Sequence, residues 1–144
     1  MRYFTVEEAN AFIPALQAVF GRIEKLRLEV MRLVEELEQM GDRPNLASSA
    51  VPDDLAEPVK LRRHRVVSAL AEIRQLVAEL ESHGLVVRKL DGLVEFRSRR
   101  GQRPVYLCWR RGETNVDHWH ELWAESEGQR QPIDDKLSKQ RFLN

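Results

Sequence analysis

The chain has 144 residues, 42% of them hydrophobic and 7% aromatic, a length suited to one domain with a modest core of its own. That apolar fraction excludes disordered and collagen-like chains, no run reaches the ~18 apolar residues of a membrane span, and MRYFTVEEANAF carries acids where an export signal would be apolar. The 23 Lys and Arg cancel the 23 Asp and Glu, and the one cysteine, Cys108, has no internal disulfide partner, so a soluble protein of the reducing cytoplasm is expected.

Thr5-Val6-Glu7-Glu8 reads as a capping box that opens a helix. The helical pattern runs to Met40 and stops at Gly41, with Pro14 expected to kink or break it by pushing Ile13 off helical angles. Phe12, Leu16, Val19, Ile23, Leu26, Val30, Leu33, Leu37 and Met40 alternate at spacings of four and three, a heptad seam. A helix of that length spans roughly 50 Å at ~1.5 Å per residue and needs a long partner.

Residues 41–57 hold glycine, prolines and acids and read as a connecting loop. Pro58 suits the start of a second helix, whose seam is Val59, Arg63, Val66, Leu70, Ile73, Val77 and Leu80, ending at Gly84. Arg63 is its polar member. The two helices form an antiparallel hairpin over about 5–83.

From Leu85 the period changes to two. Leu85–Val87 and Leu93–Phe96 flank the turn signal Asp91-Gly92, Arg97–Pro104 reads as a polar turn, Val105–Arg110 as a strand and Val116–Leu122 as a fourth short strand. The meander covers about 85–122, and the polar tail from Gln131 to Asn144 is expected to fray or to dock on a partner. The expected fold is α+β, one domain over 1–144: a long helical hairpin and a small antiparallel β-meander.

The stretches FTVEEANAFIPAL, VYLCWRRGE and WHELWAESEGQRQPI, in this order and spacing, resemble the domain of unknown function 2203 family of small uncharacterised bacterial proteins. The resemblance covers most of residues 3–133. The sequence departs from it over Trp123–Gln129, where members carry a glycine-richer run. It implies a domain and no reaction.

The densest polar cluster is Glu113, Asp117, His118, His120 and Glu121. In a strand His118 and His120 share one face about 7 Å apart and can hold a divalent transition metal with a third ligand, for which Glu113, Glu7 and Glu8 are candidates. Glu121 would orient the site or act as a base on metal-bound water, and Trp119 would pack in the core. Against this stands the commoner reading of the histidines as ordinary strand residues, since H-x-H is far less specific than H-E-x-x-H. Cys108 reads as a small buried hydrophobe rather than a nucleophile.

The net charge hides three blocks: −5 over residues 1–57, +8 over 58–111 and −3 over 112–144. The basic runs Lys60–Arg65 and Arg97, Arg99, Arg100 and Arg103 offer a weak phosphate grip, but no aromatics interleave as in single-strand binders, so nucleic acid is not expected. The leading expectation is a non-catalytic helical module that self-associates, most simply as a two-fold dimer, because the meander is too small to cover two such long seams. The alternatives are a metal-binding protein using His118, His120, Glu113 and Glu121, and, more weakly, a phosphate-binding module.

Overall fold

A computed structural model describes residues 2–124 and 129–142. Met1, Glu125–Gly128, within the stretch Trp123–Gln129 singled out above, and Leu143–Asn144 at the end of the tail lie outside the described residues. The chain divides into two compact units, one of residues 1–20 with 78–144 and one of residues 21–77.

The capping box forms as the sequence predicts and starts α1 (Val6–Ala11): the Glu8 amide donates to Thr5 Oγ1 at 3.0 Å and the Thr5 amide donates to Glu8 Oε1 at 2.9 Å. Thr5→Ala removes one of these bonds and is expected to cost about 1 kcal/mol, roughly 2–4 °C in a thermal melt followed by circular dichroism. The interruption near Pro14 falls one residue earlier than expected. Ile13 is helical and opens α2 (Ile13–Gln39), and the break sits at Phe12, whose amide turns back to Ala9 and Asn10. Proline fits there because its missing donor lies in the unbonded first turn of the new helix.

In the unit of residues 21–77, α2 faces α3 (Glu57–Ser82). Arg22 pairs with Glu72 and Glu36 with Arg62, so rising numbers on one helix meet falling numbers on the other: the hairpin is antiparallel. The first seam supplies Ile23, Leu26, Val30, Leu33 and Leu37 to the core, and the second supplies Val66 and Ile73; its Val59, Leu70 and Val77 are half-buried, and Ala69, off that seam, is buried beside them. Of the first seam, Phe12 and Val19 are half-buried and Met40 is exposed. Met40 lies past the helix end and is 43% exposed. Gly41, at φ +79°, ends α2 in a left-handed turn that sends the Asp42 amide to the Leu37 carbonyl. This places Asp42 against Arg63, which donates to it at 2.8 and 2.6 Å and so explains the polar member of the second seam. The hydrogen bonds from Arg63 hold the Asp42 carboxyl below its ordinary range.

The other unit is a five-stranded antiparallel sheet in sequence order: β1 (Val86–Lys89), β2 (Leu93–Arg100), β3 (Arg103–Arg110), β4 (His118–Glu121) and β5 (Gln131–Pro132). The stretch read as a polar turn, Arg97–Pro104, is mostly strand; only Gly101-Gln102 turn, because β2 and β3 pair in register out to Arg100 and Arg103. The fourth strand is shorter than Val116–Leu122. The tail expected to fray or dock elsewhere instead adds β5 and a short helix α4 (Asp135–Ser138) to its own unit, with Asp134 as N-cap and Leu137 buried. Alternation puts Val94, Phe96, Val105, Leu107, Trp109 and Trp119 on the core face. There Phe4 packs on Phe96, and Phe20 on Trp109. Among the described residues no helix is long and apolar enough to cross a membrane.

Candidate functional site

Register assembles the polar cluster. Glu95 on β2 sits opposite Cys108 on β3, and Cys108 opposite His118 on β4; one row along, Arg97 sits opposite Tyr106, and Tyr106 opposite His120. All six therefore lie on the sheet face away from the Phe4–Phe96 core. A bulge brings in a seventh group. Val87 pairs with Val94 and Lys89 with Leu93, so Arg88 is the extra residue, and its Nε donates to Glu95 Oε2 at 2.8 Å.

Glu95 and His120 are each 1% exposed and 3.1 Å apart, Oε1 to Nε2, while His120 Nδ1 lies 2.7 Å from the Glu121 carbonyl. Both partners of the imidazole are acceptors: a carbonyl has no proton to give, and the carboxylate already accepts from Arg88. Only an imidazolium, with two N–H donors, satisfies them both. Burial by itself pulls the His120 pKa down, but the bonds to Glu95 and to the Glu121 carbonyl outweigh it, and the net shift is upward. Tyr106 covers the pair, its ring 5.6 Å from that of His120 and under the Arg88 guanidinium at 5.5 Å.

His118 shares the face but not the environment. Arg130, just before β5, directs one Nη2 to Glu113 Oε1 at 2.8 Å, to Glu113 Oε2 at 2.9 Å and to His118 Nδ1 at 3.0 Å. Glu113 also accepts from the Arg110 amide at 2.6 Å. Arg130 Nε is the buried side-chain nitrogen left without a hydrogen-bond partner among the described residues. Cys108 is fully buried, and desolvation pushes its thiol up to about 11, well away from nucleophilic use at neutral pH.

The residues named from sequence as metal ligands are thus only partly brought together. His118 and Glu113 approach to 3.6 Å, with Arg130 bonded to both. His120 has both nitrogens engaged, and Glu121 lies on the opposite face, 3.0 Å from Arg103. Glu7 is exposed near Arg141, and Glu8 is held in the capping box. Among the described residues no group of three or more His, Cys, Asp or Glu side chains is placed to hold a metal ion.

The four arginines of the suggested phosphate grip divide by face. Arg100 bonds to Asp134 and Arg103 to Glu121, both beside Trp119 on the core face. Arg99 lies over the Tyr3 ring at 4.2 Å, and Arg97 faces the opposite side near Tyr106. In the other basic run, Lys60, Arg62 and Arg63 are used inside the hairpin by Asp53, Glu36 and Asp42.

A family profile described as "Uncharacterized conserved protein (DUF2203)" matches residues 2–133. The chain belongs to the DUF2203 family. No curated protein and no solved structure matches it. The span matched by the DUF2203 profile contains both helices of the hairpin and all five strands with the polar face, and ends before α4. Sequence reading of this DUF2203 chain missed Glu95, Arg88 and Arg130. Glu95 carried a signal, as a lone acid inside the apolar run Leu93-Val-Glu-Phe96, which has to find a buried partner.

Proposed function

We propose that the chain is a non-catalytic module that self-associates through its helical hairpin as a two-fold dimer in the reducing cytosol. The observation carrying this reading is the pair Leu28 and Met31, three residues apart on one face of α2, away from its buried seam, and 58% and 66% exposed. Glu24, Arg27, Arg32 and Glu35 flank the pair with both signs of charge. An antiparallel second copy centred on Leu28 therefore sets Glu24 of one copy beside Arg32 of the other, a self-complementary arrangement. The engagement of the buried pair supports the non-catalytic half: both His120 nitrogens are hydrogen-bonded and the Cys108 thiol stays protonated. A chain whose one cysteine, Cys108, is buried and has no internal disulfide partner suits a reducing compartment.

Light scattering over a dilution series is expected to give a mass that approaches twice 16.8 kDa when concentrated and falls on dilution. Leu28→Asp should hold it at 16.8 kDa with an unchanged circular dichroism spectrum. A concentration-independent 16.8 kDa particle from the natural sequence overturns the reading.

A further inference from the structure

On the polar face of the sheet, beyond the row of Glu95 and Cys108, a cavity of about 270 Å³ is lined by Tyr3, Arg97, Pro104, Val105, Tyr106 and Leu122. Its wall is mostly hydrocarbon and aromatic ring. Arg97 is half-buried in it, and among the described residues its side chain makes no hydrogen bond, ion pair or ring contact. The surrounding arginines do not share this state: Arg88 is held by Glu95, Arg100 by Asp134, Arg103 by Glu121 and Arg130 by Glu113, and Arg99 stacks over Tyr3.

A guanidinium keeps its charge at neutral pH, and the Arg97 nitrogens are not among the buried unpartnered atoms of the described residues, so they remain open to an incoming anion. The planar guanidinium fork matches a carboxylate through two parallel hydrogen bonds. A cavity of roughly 150 Å³ lined by apolar side chains is enough to bind benzene. The space here takes one ring and a short acidic arm. A phosphate dianion fits less well, because a single cation in an apolar wall leaves most of its oxygens unpaired. From these observations we propose that the cavity is a binding site for a small aryl monocarboxylate, with Arg97 clamping the carboxylate and the rings of Tyr3 and Tyr106 flanking the aromatic group. The site is separate from the hairpin face proposed for self-association, and neither reading depends on the other.

The test is calorimetric titration of the full chain with phenylacetate, phenylacetamide and inorganic phosphate. Phenylacetate is expected to bind at least tenfold more tightly than the uncharged amide of the same shape, the weight of one charge-assisted clamp, and phosphate not to bind. Arg97→Gln should bring the acid down to the level of the amide, and Arg97→Lys, which keeps the charge but not the fork, should fall between. If Arg97→Gln does not fold, Leu122→Trp fills the cavity from its exposed rim and should abolish binding of the acid and the amide alike. Equal binding of acid and amide by the natural sequence, phosphate binding as tight as phenylacetate, or no binding of phenylacetate overturns the proposal.

Discussion

Glu95→Leu is expected to remove about 3–5 kcal/mol of stability, the usual penalty for stripping one partner from a buried ion pair. Roughly 10 °C of melting temperature goes with it in a chain of this size. The cost arises because Glu95 is the common counter-ion of two cations: it accepts from Arg88 at 2.8 Å and faces His120 at 3.1 Å, and it is 1% exposed. Arg88, at the sheet edge, can swing into water. His120, also 1% exposed, cannot, and would have to lose its proton and leave Nε2 without an acceptor.

The same geometry fixes a pH dependence. The folded-state pKa of His120 is raised, so its contribution is complete below the ordinary histidine value near ~6.5 and is lost as pH rises through the raised folded value. The charged and titratable groups around it are Glu95, Arg88 and Tyr106, with Cys108 in the neighbouring row; the thiol, pushed up to about 11, adds loss of the same sign only at higher pH. Urea unfolding between pH 6 and 8.5 therefore keeps the thiol out of the window. The natural sequence should weaken across that window, and Glu95→Leu should lose this slope because burial without the carboxylate depresses the histidine. A flat profile for the natural sequence would show that His120 is not held as the imidazolium.

The hairpin was legible because its signals are local: Thr5 and Glu8 cap within one turn, and the four-three spacing from Ile23 to Leu37 states directly which face is buried. Period two likewise separated Trp109 and Trp119 from Cys108 and His118. Pairing between distant segments was not legible. That Glu95 meets His120 depends on the register of β2 on β3 and of β3 on β4, and no spacing within one segment encodes it. The tail was misread for a related reason. Leu137 is its buried anchor and Asp134 caps a helix of one turn, too short for any periodicity to appear. The arginines of 97–103 looked like a loop because composition outweighed alternation. In the sheet they split two and two, Arg100 and Arg103 neutralised on one face and Arg97 and Arg99 on the other.

A pair of substitutions on α2 separates the buried seam from the outer face with the chemistry held constant. Leu33 is fully buried and Leu28 is 58% exposed, both in the interior of the same helix. Aspartate costs each position a similar helix propensity, about 0.6 kcal/mol relative to alanine. At Leu33 it also buries a carboxylate with no partner and removes an isobutyl group from the core of the 21–77 unit, so Leu33→Asp is expected to cost 4 kcal/mol or more and to melt the hairpin. Leu28→Asp faces water and should cost little beyond propensity, within about 1 kcal/mol, when both are compared at high dilution where association contributes nothing. The measurement is the helical dichroism signal at ambient temperature with its urea midpoint. Loss of signal for Leu33→Asp beside a near-natural midpoint for Leu28→Asp is the expected result. Equal midpoints would mean that the α2 seam is not the core of the hairpin, and the face assigned here to a second copy would then have to be reassigned as well.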